Sequence, residues 1–304
     1  MAVISRSAGT PGVSGSPGTS GTSGPLGASG LRRLGRVALH AALIAGGLVM
    51  LFPFVWMLLT SFKGTHQMLN APLDWLPNPW RAQNYPDAFG SLPFAQAYWN
   101  SFSIAALNVV LTLVTSAMAA YAFARIRFRG SGLLFGLFLA TQMVPSQVTV
   151  VPLYLMLSKL GWIDSHLALI VPGYVNPFAV FLLRQFIRAV PIELEEAARL
   201  DGANRWTIFW RVVLPNVRPG MGALGIIVFL ASWNSFFFPL IFLNSPELAT
   251  VPLLVSQFAG QHGATDYGLT LAASAISVIP MMIAFLIGQR RILNSMAMSG
   301  LGGR

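Results

Sequence analysis

Residues 188–220, RAVPIELEEAARLDGANRWTIFWRVVLPNVRPG, read as two short helices joined by a glycine turn. Pro191 suits the first position of a helix, because its missing N–H is one of the donors that a helix start leaves unpaired. Glu193, Glu195 and Glu196 then fall in the early turns, where the helix dipole favours anions. Glu195 is placed to pair with Arg199 one turn on, an interaction of about 0.3 kcal/mol. Leu194, Ala197 and Ala198 share one face, and the two alanines keep it low enough for another backbone to approach. Gly202 suits the left-handed position that closes a helix, a conformation that costs a residue with a Cβ about 1–2 kcal/mol. Asn204 then caps a second helix, in which Trp206, Phe209, Trp210 and Val213 recur at i, i+3, i+4 and i+7 while Arg205 and Arg211 point elsewhere. Leu214 and Pro215 are expected to end it. The aromatic stripe suits packing against other helices, which leaves the first helix free to dock a partner.

Outward from this stretch the chain turns apolar. Its 304 residues are 55% hydrophobic and 9% charged, whereas a soluble protein carries roughly 25% charged residues. Six intervals hold no charge: 37–62, 88–124, 130–158, 165–183, 219–246 and 267–289. Each supplies the roughly 20 apolar residues that a helix needs to cross about 30 Å of hydrocarbon. An all-α membrane protein with six transmembrane helices is therefore predicted, and no stretch is left for a large soluble catalytic domain. Four basic residues precede span 1, three follow span 2, six lie between spans 4 and 5, and three follow span 6, while the alternate loops hold only Lys63, Arg81 and Lys159. By the positive-inside rule both termini and the helix–turn–helix stretch are cytoplasmic.

Composition excludes other functions. With no cysteine there is no disulfide, thiolate nucleophile, iron–sulfur cluster or cysteine-ligated zinc. The net charge of +10 is accounted for by topology, so no nucleic-acid partner is needed to explain it. Residues 1–33 form a Gly/Ser/Pro-rich tail, expected to be disordered and cytoplasmic; glycine recurs at every third position from Gly9 to Gly30, but the prolines and triplets are too few for a collagen helix. Residues 34–295 are expected to form the six-span transmembrane domain and 296–304 a short cytoplasmic tail. Arg32, Arg33 and Arg36 precede an apolar run too long for a signal peptide, so the run reads as an uncleaved first helix. The loop after it is rich in proline and aromatics and should form an irregular or short-helical cap, with Trp75, Trp80, Tyr85 and Trp99 at headgroup level. Pro53, Pro145, Pro172, Pro177, Pro239 and Pro280 fall within spans and are each expected to bend a helix.

The segment EEAARLDG at 195–202, followed by VVLP at 212–215, resembles the EAA loop of binding-protein-dependent ABC importer permeases. Glu196, Ala197, Ala198, Gly202, Leu214 and Pro215 stand at the family's spacing, and Val212 replaces the usual isoleucine. The resemblance extends over residues 34–295 and is closest to the maltose-type, carbohydrate branch. FPFVWMLLTSFK at 52–63, AAYAFARIRFRG at 119–130, MVPSQVTVVPLY at 143–154 and SWNSFFFPL at 232–240 support it. The ending SMAMSGLGGR departs from the Gly-Ala-Val-Lys-Gly stretch common in that branch, so no ATPase contact is carried over to the terminus.

The resemblance implies a permease subunit of an ATP-driven sugar importer in a bacterial plasma membrane. Its implied companions are two ATP-binding subunits, a second homologous permease subunit and an extracytoplasmic solute-binding protein. Coupling to the ATPase then falls to Glu195, Glu196, Ala197, Ala198, Asp201, Gly202, Leu214 and Pro215. ATP and Mg are expected at the partner and no cofactor in this chain, whose two lysines, Lys63 and Lys159, lack the preceding glycines of a phosphate-binding loop. Asn108, Gln142, Tyr174, Asn176, Ser232, Trp233 and Asn234 are candidates for the solute path, since sugar hydroxyls need amide partners and sugar faces stack on indoles. The same amides also serve as hydrogen-bond glue between membrane helices, worth about 0.6–2 kcal/mol, and both readings stand. No charge lies within a span, which speaks against a proton relay or an ionic solute at the midplane. An amino acid, peptide or osmolyte is the alternative solute. An intramembrane hydrolase would need an embedded nucleophile with a base, or paired carboxylates, and the spans supply serines but no acid, no cysteine and no well-placed second histidine.

Overall fold

The computed structural model describes the backbone of residues 26–91, 93–261 and 267–301, and the side chains of residues 35–90, 93–257 and 267–289. Among these residues the chain is helical throughout, with turns between helices and no strand. Most of the expected N-terminal tail lies outside the described residues; helix α1 (Leu26–Ser61) begins within its last part. The expected C-terminal tail overlaps the end of the last helix, and residues 302–304 lie outside the described residues. The chain divides into two compact units, residues 1–54 and 55–304.

Two short helices, α2 (Thr65–Asn70) and α3 (Asn84–Ser91), form the proline-rich segment after α1. Within it Lys63 is buried, its Nζ over the Trp56 ring and donating to the Asp74 carbonyl. Helix α4 (Phe94–Arg125) follows and packs against α8 (Pro177–Ala189) and α11 (Leu214–Trp233). The closing helix α14 (Tyr267–Leu301) packs against α11, α13 (Val251–Gln261) and α3. Its Gly288 has no room for a side chain: a Cβ there would lie 2.1 Å from Ile226 Cδ1, so the helices approach where the residue is smallest.

Four stretches are helical, long and apolar enough to cross a membrane: Gly35–Ser61, Phe94–Arg125, Arg205–Trp233 and Tyr267–Gln289. The intervals 130–158 and 165–183 are not continuous helices, and this corrects the expectation of bent ones. The first is divided into α5 (Ser131–Ala140), a 3-10 turn at Thr141–Met143 and α6 (Val150–Lys159). The second is divided into α7 (Leu167–Ile170) and α8. Each break contains an extended residue before proline. Val144 precedes Pro145 and Asn176 precedes Pro177, and a proline ring clashes with helical backbone in its predecessor. Both residues are extended, with ψ of 118° and 105°. The Thr115 hydroxyl of α4 lies 3.3 Å from the Tyr174 carbonyl, with its nearer acceptor the Leu111 carbonyl of its own helix at 2.7 Å.

The helix expected to stop at Pro215 does not. Helices α9 (Ile192–Leu200) and α10 (Arg205–Ile208) lead into a π-helical turn, Phe209–Val213, which runs straight into α11. Pro215 sits in the first turn of α11, and the wider π turn opens the helix where its ring would otherwise meet a carbonyl four residues back. After α11, the short helix α12 (Phe237–Phe242) and a 3-10 turn at Pro246–Leu248 lead to α13. One buried cluster, with Tyr121, Leu183, Ile187, Ile208, Phe209, Val213 and Leu224, joins α4, α8, the π turn and α11. A second, with Phe94, Trp233, Leu254 and Leu269, joins the opposite end of α4 to α11, α13 and α14.

Candidate coupling site and solute cavity

Helix α9 stands out from the bundle at the α8 end of the first cluster. Ile192, Leu194 and Leu200 are exposed, as are Glu196, Ala197, Asp201 and Gly202, while Ala198 is half-buried against the core. Its far end is closed by Gly202, with φ +84°. The Gly202 N–H donates to the Arg199 carbonyl at 3.0 Å and the Ala203 N–H to the Ala198 carbonyl at 2.9 Å, the paired bonds of a left-handed glycine stop. Asn204 Oδ1 accepts from the Thr207 N–H at 2.8 Å and starts α10. The aromatic stripe divides: Phe209 and Val213 are buried with Ile208, whereas Trp206 and Trp210 remain exposed, packed edge to face on each other.

Glu195 is the exception on α9. It is fully buried, and Arg125 Nε donates to its Oε1 at 2.6 Å. Arg125 Nη2 also donates to the carbonyls of Ile187 and Val190, which close α8. One guanidinium thus caps α8 and bolts α9 to α4. Arg199, the partner expected from helix spacing, is 3.7 Å from Oε2 and half exposed, so it contributes little. Glu195 and Leu214 therefore lie in the chain's own packing, Pro215 is half-buried, and Glu196, Ala197 and Asp201 make the exposed face; sequence spacing gave no sign of Arg125 as the support.

A cavity of about 170 Å³ lies among α4, α7, α11, α12 and the segment before α13. Its polar lining is Ser101, Asn108, Asn176, Ser232, Ser235 and Thr250, and no charged side chain lines it. Asn108 Nδ2 donates to Ser232 Oγ at 3.1 Å, and Asn176 Oδ1 accepts from the Ala179 N–H at 3.0 Å as the cap of α8. Of the residues expected on the solute path, Asn108, Asn176 and Ser232 are here. Trp233 is a core residue, with its Nε1 donating to the Ser277 carbonyl at 3.3 Å and its ring stacked on Phe229. Gln142 and Asn234 are exposed and Tyr174 is half-buried, and none of the three lines the cavity. Ser101, Ser235 and Thr250 were not expected, although Ser101 lies two helical turns from Asn108 on α4 and shares its face.

Two connecting turns are tied together by side chains. Asp164, with φ +57°, accepts through Oδ1 from the N–H groups of Asn244 and Ser245 at 2.8 and 2.9 Å, and through Oδ2 from the Ser245 hydroxyl. His166 Nε2 lies 3.2 Å from the Leu248 carbonyl. The Ser245 hydroxyl and then the Ser245 and Asn244 N–H groups hold the Asp164 carboxyl below its ordinary value of 3.8. A lowered folded pKa means that the clamp's contribution is complete above the unfolded value and is lost as pH falls through the folded one. Hydrogen exchange at Asn244 and Ser245 is expected to speed up only below about pH 4. Asp164→Gly, which keeps the left-handed backbone tolerable and removes the acceptor, should expose both amides at neutral pH. Protection that is unchanged in the variant would show that the carboxylate does not hold this turn.

Fold and site define a class: a multi-pass membrane helix bundle with a helix–turn–helix, tied to it by a buried ion pair, that leaves one short face exposed. The chain belongs to the family of binding-protein-dependent transport system inner membrane components, whose family model matches residues 112–297. It is 33% identical over 269 residues to a diacetylchitobiose uptake system permease protein of Streptomyces coelicolor, covering 88% of each chain. It is 34% identical over 272 residues to an arabinooligosaccharides transport system permease protein of Bacillus subtilis, covering 88% of this chain and 96% of that one. Its fold is similar to a chain of a bacterial ABC transporter that imports the acidic polysaccharide alginate, with a TM-score of 0.74 at 22% identity over 85% of this chain and 96% of that one.

Proposed function

We propose that this chain is the permease subunit of an ATP-driven, binding-protein-dependent sugar importer. It crosses the bacterial plasma membrane six times, with the two divided intervals crossing as helix–turn–helix pairs and both termini in the cytoplasm. The observation that carries this reading is the mounting of α9: an exposed face of Glu196, Ala197 and Asp201 held rigid by the buried Arg125–Glu195 pair. A helix ordered only by lipid would need no such bolt. Two ATP-binding subunits hold ATP and Mg, and a surface groove of the ATPase receives this helix. A second, homologous permease completes the pathway, and an extracytoplasmic binding protein delivers the solute. The transition is a rigid-body, two-state change driven through a small contact. A neutral sugar suits the cavity, where hydroxyl and amide groups are present and a charge to balance an anion is not.

Purification through a tag on this chain is expected to bring down an ATPase subunit, and a sugar-loaded binding protein should stimulate its hydrolysis. Glu196→Lys reverses the exposed charge on α9 and should lower the ATPase recovered by about tenfold or more, as loss of an interfacial charge contact does. Undiminished recovery would remove Glu196 from the contact. Stimulation only by a binding protein loaded with an amino acid, peptide or osmolyte would move the substrate class.

A further inference from the structure

Helix α4 is built unlike the other three long helices. The helices α1, α11 and α14 each contain proline and glycine, whereas Phe94–Arg125 contains neither. Every residue in α4 therefore keeps its N–H for the helix ladder, and none adds the backbone freedom of glycine. The usual causes of a kink are absent. Its 32 residues extend about 48 Å at 1.5 Å per residue, well beyond the roughly 30 Å of hydrocarbon.

Both ends of this helix are pinned to connecting segments by its own buried side chains. At one end Arg125 holds Glu195 and the last carbonyls of α8. At the other, Asn100 Nδ2 donates to the carbonyls of Glu247 at 2.8 Å and Ala249 at 3.0 Å, and Ser101 Oγ accepts from the Val251 N–H at 2.8 Å. Asn100 and Ser101 are 2% and 3% exposed, so water does not compete for these bonds. The segment they grip is the one that Asp164 and His166 hold from the other side. If α4 only filled space, apolar side chains would suffice at its ends. Hydrogen bonds aimed at the backbone of two separate segments fix the helix in register with both.

On the function proposed above, one of these segments faces the ATPase and the other faces the binding protein. We infer that α4 is a push rod, and that Arg125, Asn100 and Ser101 are positioning residues that make α9 and residues 247–251 move as one body. Arrival of a loaded binding protein at the outer segment then shifts the coupling helix and stimulates hydrolysis at the opposite face. The coupling element is the stiff helix itself, whose position both faces bias.

The test uses the complete complex, purified through a tag on this chain, and reads the ratio of ATP hydrolysis with and without saturating loaded binding protein. Asn100→Leu removes both carbonyl contacts of the outer pin, leaving only the Ser101–Val251 bond there, without changing side-chain volume greatly. The double variant Val110→Gly and Val114→Gly softens the middle of the rod at two exposed positions and leaves both pins intact. In both, unstimulated hydrolysis should stay within about twofold of wild type while the stimulation ratio falls toward one. Full stimulation in the assembled fraction of either variant overturns the rod, whatever the yield, because contacts that serve only assembly lower the amount of complex and not this ratio. Failure of the wild-type chain to bring down any ATPase would instead overturn the importer reading on which the rod rests.

Discussion

Replacing Arg125 with alanine is expected to destabilise the chain by about 3–5 kcal/mol and to release α9, the cost of leaving one member of a buried ion pair alone. Glu195 would be left without its partner in a site with no solvent access, and its Oε2 already lacks a hydrogen-bond partner. Arg199 offers no substitute, since it is half exposed and 3.7 Å away. The Val190 carbonyl would lose its Arg125 donor in the same step, and the Ile187 carbonyl would keep only the Val190 N–H at 3.2 Å. Thermal unfolding of the detergent-solubilised complex measures the loss, and limited proteolysis within α9 reports its release. The double variant Arg125→Met with Glu195→Leu should recover most of the stability, because an apolar pair of similar volume needs no desolvation. It should not recover all of it, because the Arg125 bonds to the Ile187 and Val190 carbonyls stay lost. A single variant as stable as wild type would mean that the pair is not the bolt.

The helix–turn–helix was legible in the sequence because its signals are local. Gly202 and Asn204 act on backbone within a few residues of themselves, and their cap bonds are where spacing places them. Glu195 was legible only in part. Helix spacing points to Arg199, four residues on, whereas the partner that matters is 70 residues away at the end of α4. Charge counting located six apolar intervals but could not see that Val144 and Asn176 would be extended, although a proline follows each. Length alone treats a divided helix and a continuous one alike. The solute path shows the same limit. Polarity and aromaticity selected Trp233, which turns into the core, and passed over Thr250, which lies outside the apolar spans yet reaches the cavity. Which way a residue faces on a membrane helix depends on neighbours from other spans, and one chain's composition does not record them.

Valine at position 202 is expected to reduce uptake to background while the protein still inserts, since the turn lies outside the apolar spans. The reason is backbone conformation. A Cβ added at Gly202 meets nothing within 4 Å, so the surrounding chain leaves room for a side chain. What it does not leave is a low-energy φ: at +84° a residue with a Cβ costs about 1–2 kcal/mol, and a β-branched one more. The chain escapes that strain by giving up the paired bonds from Gly202 and Ala203, and α9 then loses its bearing on α10. Asparagine tolerates the left-handed region better than alanine, so uptake should fall in the order glycine, asparagine, alanine, valine. A second explanation makes a different forecast. If Gly202 were required because a partner's backbone packs against it, side-chain size would decide, and alanine would be milder than asparagine. Transport measured across the four residues, normalised to inserted protein, separates the two. Wild-type uptake with valine would mean that the hand of this turn plays no part in coupling.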